Sequence, residues 1–144
     1  MRTSTGLIST LVLGAALGLP VTAAQAAPAA PASVSAAASC RGLIASANSL
    51  NNKAISASRG RGYKKAAKVN HATEGKIANA IWACRHAREP RVIRAFLHNA
   101  EQGTQSAEHF NKKAYIEHDR RAGKAALDSE YDVRRYLYKA LRYS

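Results

Sequence analysis

Apolar residues recur along this chain at helical rather than strand spacing. Cys40, Leu43, Ile44, Ala47, Leu50 and Ala54 fall on the stripe of a first amphipathic helix. Ile77, Ala80, Ile81 and Cys84 make a second stripe, and Val92, Ile93, Phe96, Leu97 and Ala100 a third. Between them stands Pro90, which has no N–H to donate and so ends one helix and opens the next. Gly75 and Gly103 are expected breaks on either side. The stretch 71–101 therefore predicts two short helices, about 76–88 and 90–101, meeting at a corner flanked by Arg85, Arg88, Arg91 and Arg94.

The same pattern continues outside that stretch. Ser58–Gly62 reads SRGRG, and its two glycines stop the first helix. Tyr63–Asn70 is a short basic segment of a helical turn or two. After Gly103, Thr104 or Ser106 is placed to cap a helix from Ala107 to about Arg121, with a thin stripe of Phe110, Ala114, Tyr115 and Ile116. Gly123 is expected to end it. A last helix, about Lys124–Tyr143, carries Leu127, Tyr131, Arg134, Tyr138 and Leu141 on one line. Asp128, Glu130 and Asp132 come early in it and Arg134, Arg135, Lys139 and Arg142 late, the order the helix dipole favours. That order gives the DSEYD run a structural reading rather than one as a calcium loop. No segment alternates as a strand does. The fold class is thus all-α, a small irregular bundle of four to five short helices.

The start of the chain has a different composition. Arg2 precedes an apolar run, Leu7–Leu19, too short to span a membrane, and Ala24-Gln25-Ala26 forms an A-x-A cleavage site. Residues 1–26 read as a secretory signal peptide. Residues 27–38 contain only Ala, Pro, Ser and Val and read as a disordered linker. Residues 39–144 then form a single helical domain, and no transmembrane segment remains in the mature chain. The expected location is extracellular.

Export changes the reading of the cysteines. Cys40 and Cys84 both lie on core-facing stripes, and exported compartments are oxidising, so a disulfide joins two helices. Much of the apolar content is alanine, which buries little area, so the thin core benefits from this staple.

Charge adds a partner class. The chain has 22 basic and 9 acidic residues, a formal net charge of +13. Cys40–Ala95 holds 12 basic and 2 acidic residues, whereas Phe96–Ser144 holds 9 and 7. The basic half sets up a field that attracts anions: a cell-envelope polymer, nucleic acid or an acidic lipid surface. Lys64, Lys65, Lys68, Arg85, Arg88, Arg91 and Arg94 are the expected binding residues. Zinc-knuckle, RNA-recognition and helix-turn-helix signatures are absent from the sequence.

One motif points to chemistry. His-x-x-Glu occurs as His71/Glu74, His86/Glu89 and His98/Glu101. Residues three apart share a helix face, where imidazole and carboxylate can hold a metal or form a base with its orienting acid. Each pair also sits next to a Gly, a Pro or Gln-Gly, which gives it a plain reading as a helix-end marker. Glu108-His109 and Glu117-His118, nine residues apart, face opposite ways on a continuous helix and read as solvated. HExxH, GxSxG and P-loop motifs are absent. The leading expectation is a non-enzymatic exported protein that binds anionic polymers or surfaces without a cofactor, an antimicrobial role being one use. A small secreted hydrolase or metal-binding protein built on the His-x-x-Glu units is the second. An inhibitor-type protein with an acidic partner protein is the third.

Overall fold

The computed structural model describes residues 32–144. The signal peptide and the first residues of the linker lie outside the described residues. The chain forms four helices: α1 (Ala32–Arg59), α2 (Tyr63–Ala83), α3 (Pro90–Ile116) and α4 (Arg120–Tyr143). A single 3₁₀ turn, Cys84–His86, follows α2. The connections are short, so consecutive helices run antiparallel. Each packs on the next, and α1 closes the ring against α4. That closure is visible at one end, where the Arg41 guanidinium donates to the carbonyls of Leu141 (2.9 Å) and Ser144 (3.2 Å), the exposed C-terminal carbonyls of α4. The all-α bundle of four helices is as the periodicity predicts, but the helices are longer than expected. Among the described residues there is no strand, and no helix is long and apolar enough to cross a membrane.

The difference in helix length has a physical source at each glycine. Gly75 lies inside α2, and a methyl group there would meet nothing within 4 Å, so this glycine is merely tolerated. Gly103 lies inside α3, where an added Cβ would come within 2.8 Å of Val133 Cγ2. Gly123 lies inside α4, 2.5 Å from Tyr63 Oη on the same test. The last two glycines let helices approach closely; they do not end them. The predicted segments 63–70 and 76–88 thus join in α2, which ends at Ala83, and 90–101 joins most of 107–121 in α3, which ends at Ile116 with α4 starting at Arg120 rather than Lys124. Pro90, at the first position of α3, and the SRGRG run, where α1 ends at Arg59 and α2 begins at Tyr63, mark boundaries as expected. The Arg59–Tyr63 turn falls at the SRGRG run. Its left-handed residue is Arg61 (φ 58°), with neither glycine at positive φ. At the other end of the chain's first helix, α1 begins at Ala32, inside the stretch read as a linker. Alanine is the strongest helix former, and residues 32–38 contain no proline.

The buried positions repeat at steps of three or four. They are Ile93, Leu97, Ala100, Thr104, Ala107, Asn111 and Ala114 on α3, and Ala122, Ala126, Glu130, Val133, Leu137 and Ala140 on α4. This is the seam of a helical bundle. Near the Cys84 end it is apolar: Ile44, Ala47, Ile77, Ala80, Ile93, Leu97, Val133 and Leu137 pack together around the Cys40–Cys84 disulfide. Farther along, polar residues take seam positions. Glu130 is fully buried, and its Oε1 accepts from Ser58 Oγ (2.8 Å), Asn70 Nδ2 (2.9 Å) and Asn111 Nδ2 (2.9 Å). Asn51 donates to the Glu130 carbonyl at 2.9 Å. All four helices thereby meet at one side chain. Burial pushes the Glu130 carboxyl above the ordinary glutamate range, and the bonds from Asn70, Ser58 and Asn111 only partly offset this. Glu130 is therefore a core residue and not a dipole-matching surface acid.

The line predicted on α4 is displaced by one residue. Ala126, Glu130, Val133, Leu137 and Ala140 face inward, while Tyr138 is exposed and Tyr131 and Arg134 are half-buried. Trp82 is 67% exposed. Its place one residue off the Ile81/Cys84 stripe takes the ring out of the core, and Arg85 stacks on it at 3.8 Å from the ring centroid.

Candidate functional site

The turn between α1 and α2 and the first turns of α2 carry Arg61, Tyr63, Lys64, Lys65 and Lys68. The C-terminal half of α3 lies alongside and supplies Glu108, Lys112 and Tyr115. Two adjoining hollows result. One, of about 440 Å³, is lined by Lys64, Lys68, His71, Glu108, Lys112 and Tyr115, with Ala67 at its floor. The other, of about 510 Å³, is lined by Arg61, Tyr63, Lys64, Lys65, Lys68 and Tyr115. Lys64, Lys68 and Tyr115 belong to both, so the two form one trough.

The trough is positive for two reasons. Glu108 is its only carboxylate, and Lys112 Nζ already pairs with it. Among the described residues, Arg61, Lys64, Lys65 and Lys68 have no carboxylate within ion-pair distance. The second reason is the helix itself. The first turn of α2 has no acidic residue and no side-chain cap, so its unpaired N–H groups and dipole add positive potential where Lys64 and Lys65 already stand. Lysines are the unfavourable residues for that helix end, and an anion there relieves both. Tyr115 offers an exposed ring face, with Lys64 Nζ 5.4 Å from its centroid.

The seven cations expected to bind fall into two groups. Lys64, Lys65 and Lys68 line the trough. Arg85, Arg88, Arg91 and Arg94 are exposed around the α2–α3 corner, beyond the far end of α2 and about 30 Å away at 1.5 Å per residue. There Arg85 Nε donates to His86 Nε2 (2.8 Å) and stacks on Trp82, closing a small hollow of about 110 Å³. Sequence reasoning missed a third cationic surface, the outer face of α4. Tyr131, Arg134, Arg135, Tyr138, Lys139 and Arg142 line a hollow of about 430 Å³ there. Its signal was present as a basic–aromatic repeat, but the one-residue shift in the buried line concealed it.

The histidines also separate. His71 Nδ1 lies 3.9 Å from Glu74 and 3.4 Å from Glu108. His98 Nδ1 lies 3.3 Å from Glu101. His86 bonds Arg85 instead of Glu89. The three His-x-x-Glu units therefore do not converge, and the cluster that forms draws Glu108 from the neighbouring helix. Glu108 is not solvated as expected: its side chain is only 14% exposed, against 77% for His71. No protein family, curated protein or solved structure matches this chain.

Proposed function

We propose that this protein is an exported, non-enzymatic binder of anionic polymers, and that the polymer lies along the trough at the start of α2. The observation that carries this reading is the concave row Arg61, Lys64, Lys65 and Lys68, without paired carboxylates and at the positive end of a helix. Tyr63 and Tyr115 supply aromatic faces beside those cations, the combination used to hold flexible phosphate-bearing chains. The outer face of α4 is a weaker candidate. Its cations stand near a helix C-terminus, where the dipole already satisfies them, and Asp132 pairs with Arg135 at 3.1 Å. The export signal and the cystine favour action outside the cell, on an envelope polymer or extracellular nucleic acid.

Binding to heparin, polyphosphate and a single-stranded oligonucleotide across a salt series tests the location. Three variants each remove four positive charges by substitution with Gln: at Arg61, Lys64, Lys65 and Lys68; at Arg85, Arg88, Arg91 and Arg94; and at Arg134, Arg135, Lys139 and Arg142. Each phosphate neutralised contributes a slope of about −0.7 to log K against log salt for a single strand. The trough variant should make that slope shallower by about 2 to 3, and the other two by less than about 1. Equal losses in all three would show that binding follows net charge and has no site.

A further inference from the structure

We propose that His71, Glu74 and Glu108 form a binding site for one divalent transition-metal ion of the zinc class. His71 and Glu74 stand three apart on α2 and share a face, and α3 brings Glu108 against them. The His71 Nδ1 atom is 3.4 Å from Glu108 Oε2 and 3.9 Å from Glu74 Oε2, and the three ligand atoms all lie within 4.8 Å of one another. A tetrahedral ion with bonds of about 2.0–2.1 Å holds its ligand atoms about 3.4 Å apart, the spacing His71 and Glu108 already have, while Glu74 must move inward to join them.

The other oxygen of each carboxylate is already held. Gln105 Nε2 donates to Glu74 Oε1 at 2.7 Å, and Lys112 Nζ pairs with Glu108 Oε1. These contacts leave the Oε2 atoms turned toward the imidazole, the kind of outer support that orients metal ligands. The fourth position opens on the hollow lined by Lys64, Lys68 and Tyr115, where water or an anionic oxygen can complete the shell. The His98/Glu101 pair has the same spacing and a 3.3 Å contact but gathers no third ligand among the described residues. It provides an internal control. A protonated His71 could hold the same carboxylates without metal, and the experiment separates the two occupants.

The site borders the hollow of the proposed polymer trough, so it is tested with Zn²⁺ alone and in the absence of polymer, where failure of either reading leaves the other standing. Titration of the mature protein with Zn²⁺ alone at neutral pH, followed by calorimetry, should show one ion per chain at micromolar affinity or tighter. Co²⁺ should give the visible absorption of a four-coordinate centre. H71A, E74Q and E108Q should each weaken the affinity at least tenfold, with helical circular dichroism retained because none of the three belongs to the buried core. H98A should leave it unchanged. No stoichiometric binding, or an H98A loss equal to that of H71A, would overturn the assignment and leave His71 as an ion-pair partner only.

Discussion

The two ends of the bundle hold together by different means. At the Cys84 end the seam is filled by Ile44, Ile77, Ile93, Leu97, Val133 and Leu137 around a disulfide. Toward the α1–α2 turn the large apolar side chains give way to Asn51, Ser58, Asn70, Asn111 and Glu130, with alanines between them. Apolar burial is non-directional and tolerates volume-conserving repacking. A carboxylate bonded from the other three helices is directional, so it specifies which faces meet and in which register. It does so at an electrostatic cost, because Glu130 Oε2, Asn51 Oδ1 and Asn70 Oδ1 are buried without a protein donor. The apolar end is therefore the source of stability, and the polar end is a source of specificity. The trough lies over the α2 segment that leads down to Asn70, so the polar layer also positions the candidate site.

The largest effect should come from opening the stapled end. The disulfide closes a separation of 44 residues, for which chain entropy gives about 4 kcal/mol. Cys40→Ala with Cys84→Ala should lower stability by roughly that amount, measured by denaturant unfolding. A loss below about 1 kcal/mol would mean that the apolar seam holds this end without the cystine.

Breaking the polar layer comes next. Glu130→Ala strands the amides of Asn70 and Asn111 in the core and should cost about 3 kcal/mol. Glu130→Gln keeps the accepting oxygen and removes the charge, and its effect should depend on pH. Because burial raises the folded-state pKa, the wild type has its full contribution below the unfolded glutamate value, about 4.3, and loses it as pH rises through the folded value. The Gln variant does not titrate there. Its stability relative to wild type should therefore climb across that window and then level off. Parallel stability–pH curves for the two proteins would show that Glu130 folds as an ion at no electrostatic penalty.

The smallest expected effects compare two glycines. Gly103→Ala drives a methyl group against Val133 between α3 and α4 and should cost about 1–3 kcal/mol. Gly75→Ala meets open space and should stabilise by about 0.5–1 kcal/mol. Thermal unfolding of the pair distinguishes close helix packing from simple tolerance; a shift of the same sign in both would contradict that distinction.

The sequence by itself determined the helical class, the break after α1, the start of α3 at Pro90, the Cys40–Cys84 bridge and the apolar seam of α1, α2 and α3, but not that of α4, which it placed one residue off. These rest on local geometry: a missing N–H, a period of 3.6 residues, and thiols on stripes that must be buried. It also named Lys64, Lys65 and Lys68, because clustered charge is visible in one dimension. The tertiary structure alone decided the rest. Asn51, Asn70, Asn111 and Glu130 interrupt the hydrophobic pattern at inward positions, so periodicity passed over them; polar residues enter a core only when partners on other helices satisfy them. Gly103 and Gly123 look like helix ends until Val133 and Tyr63 are seen against them. His71 meets Glu108, 37 positions away, only because α2 and α3 fold back to back. Spacing along a chain carries what one helix needs, whereas contacts between helices depend on which faces turn toward each other.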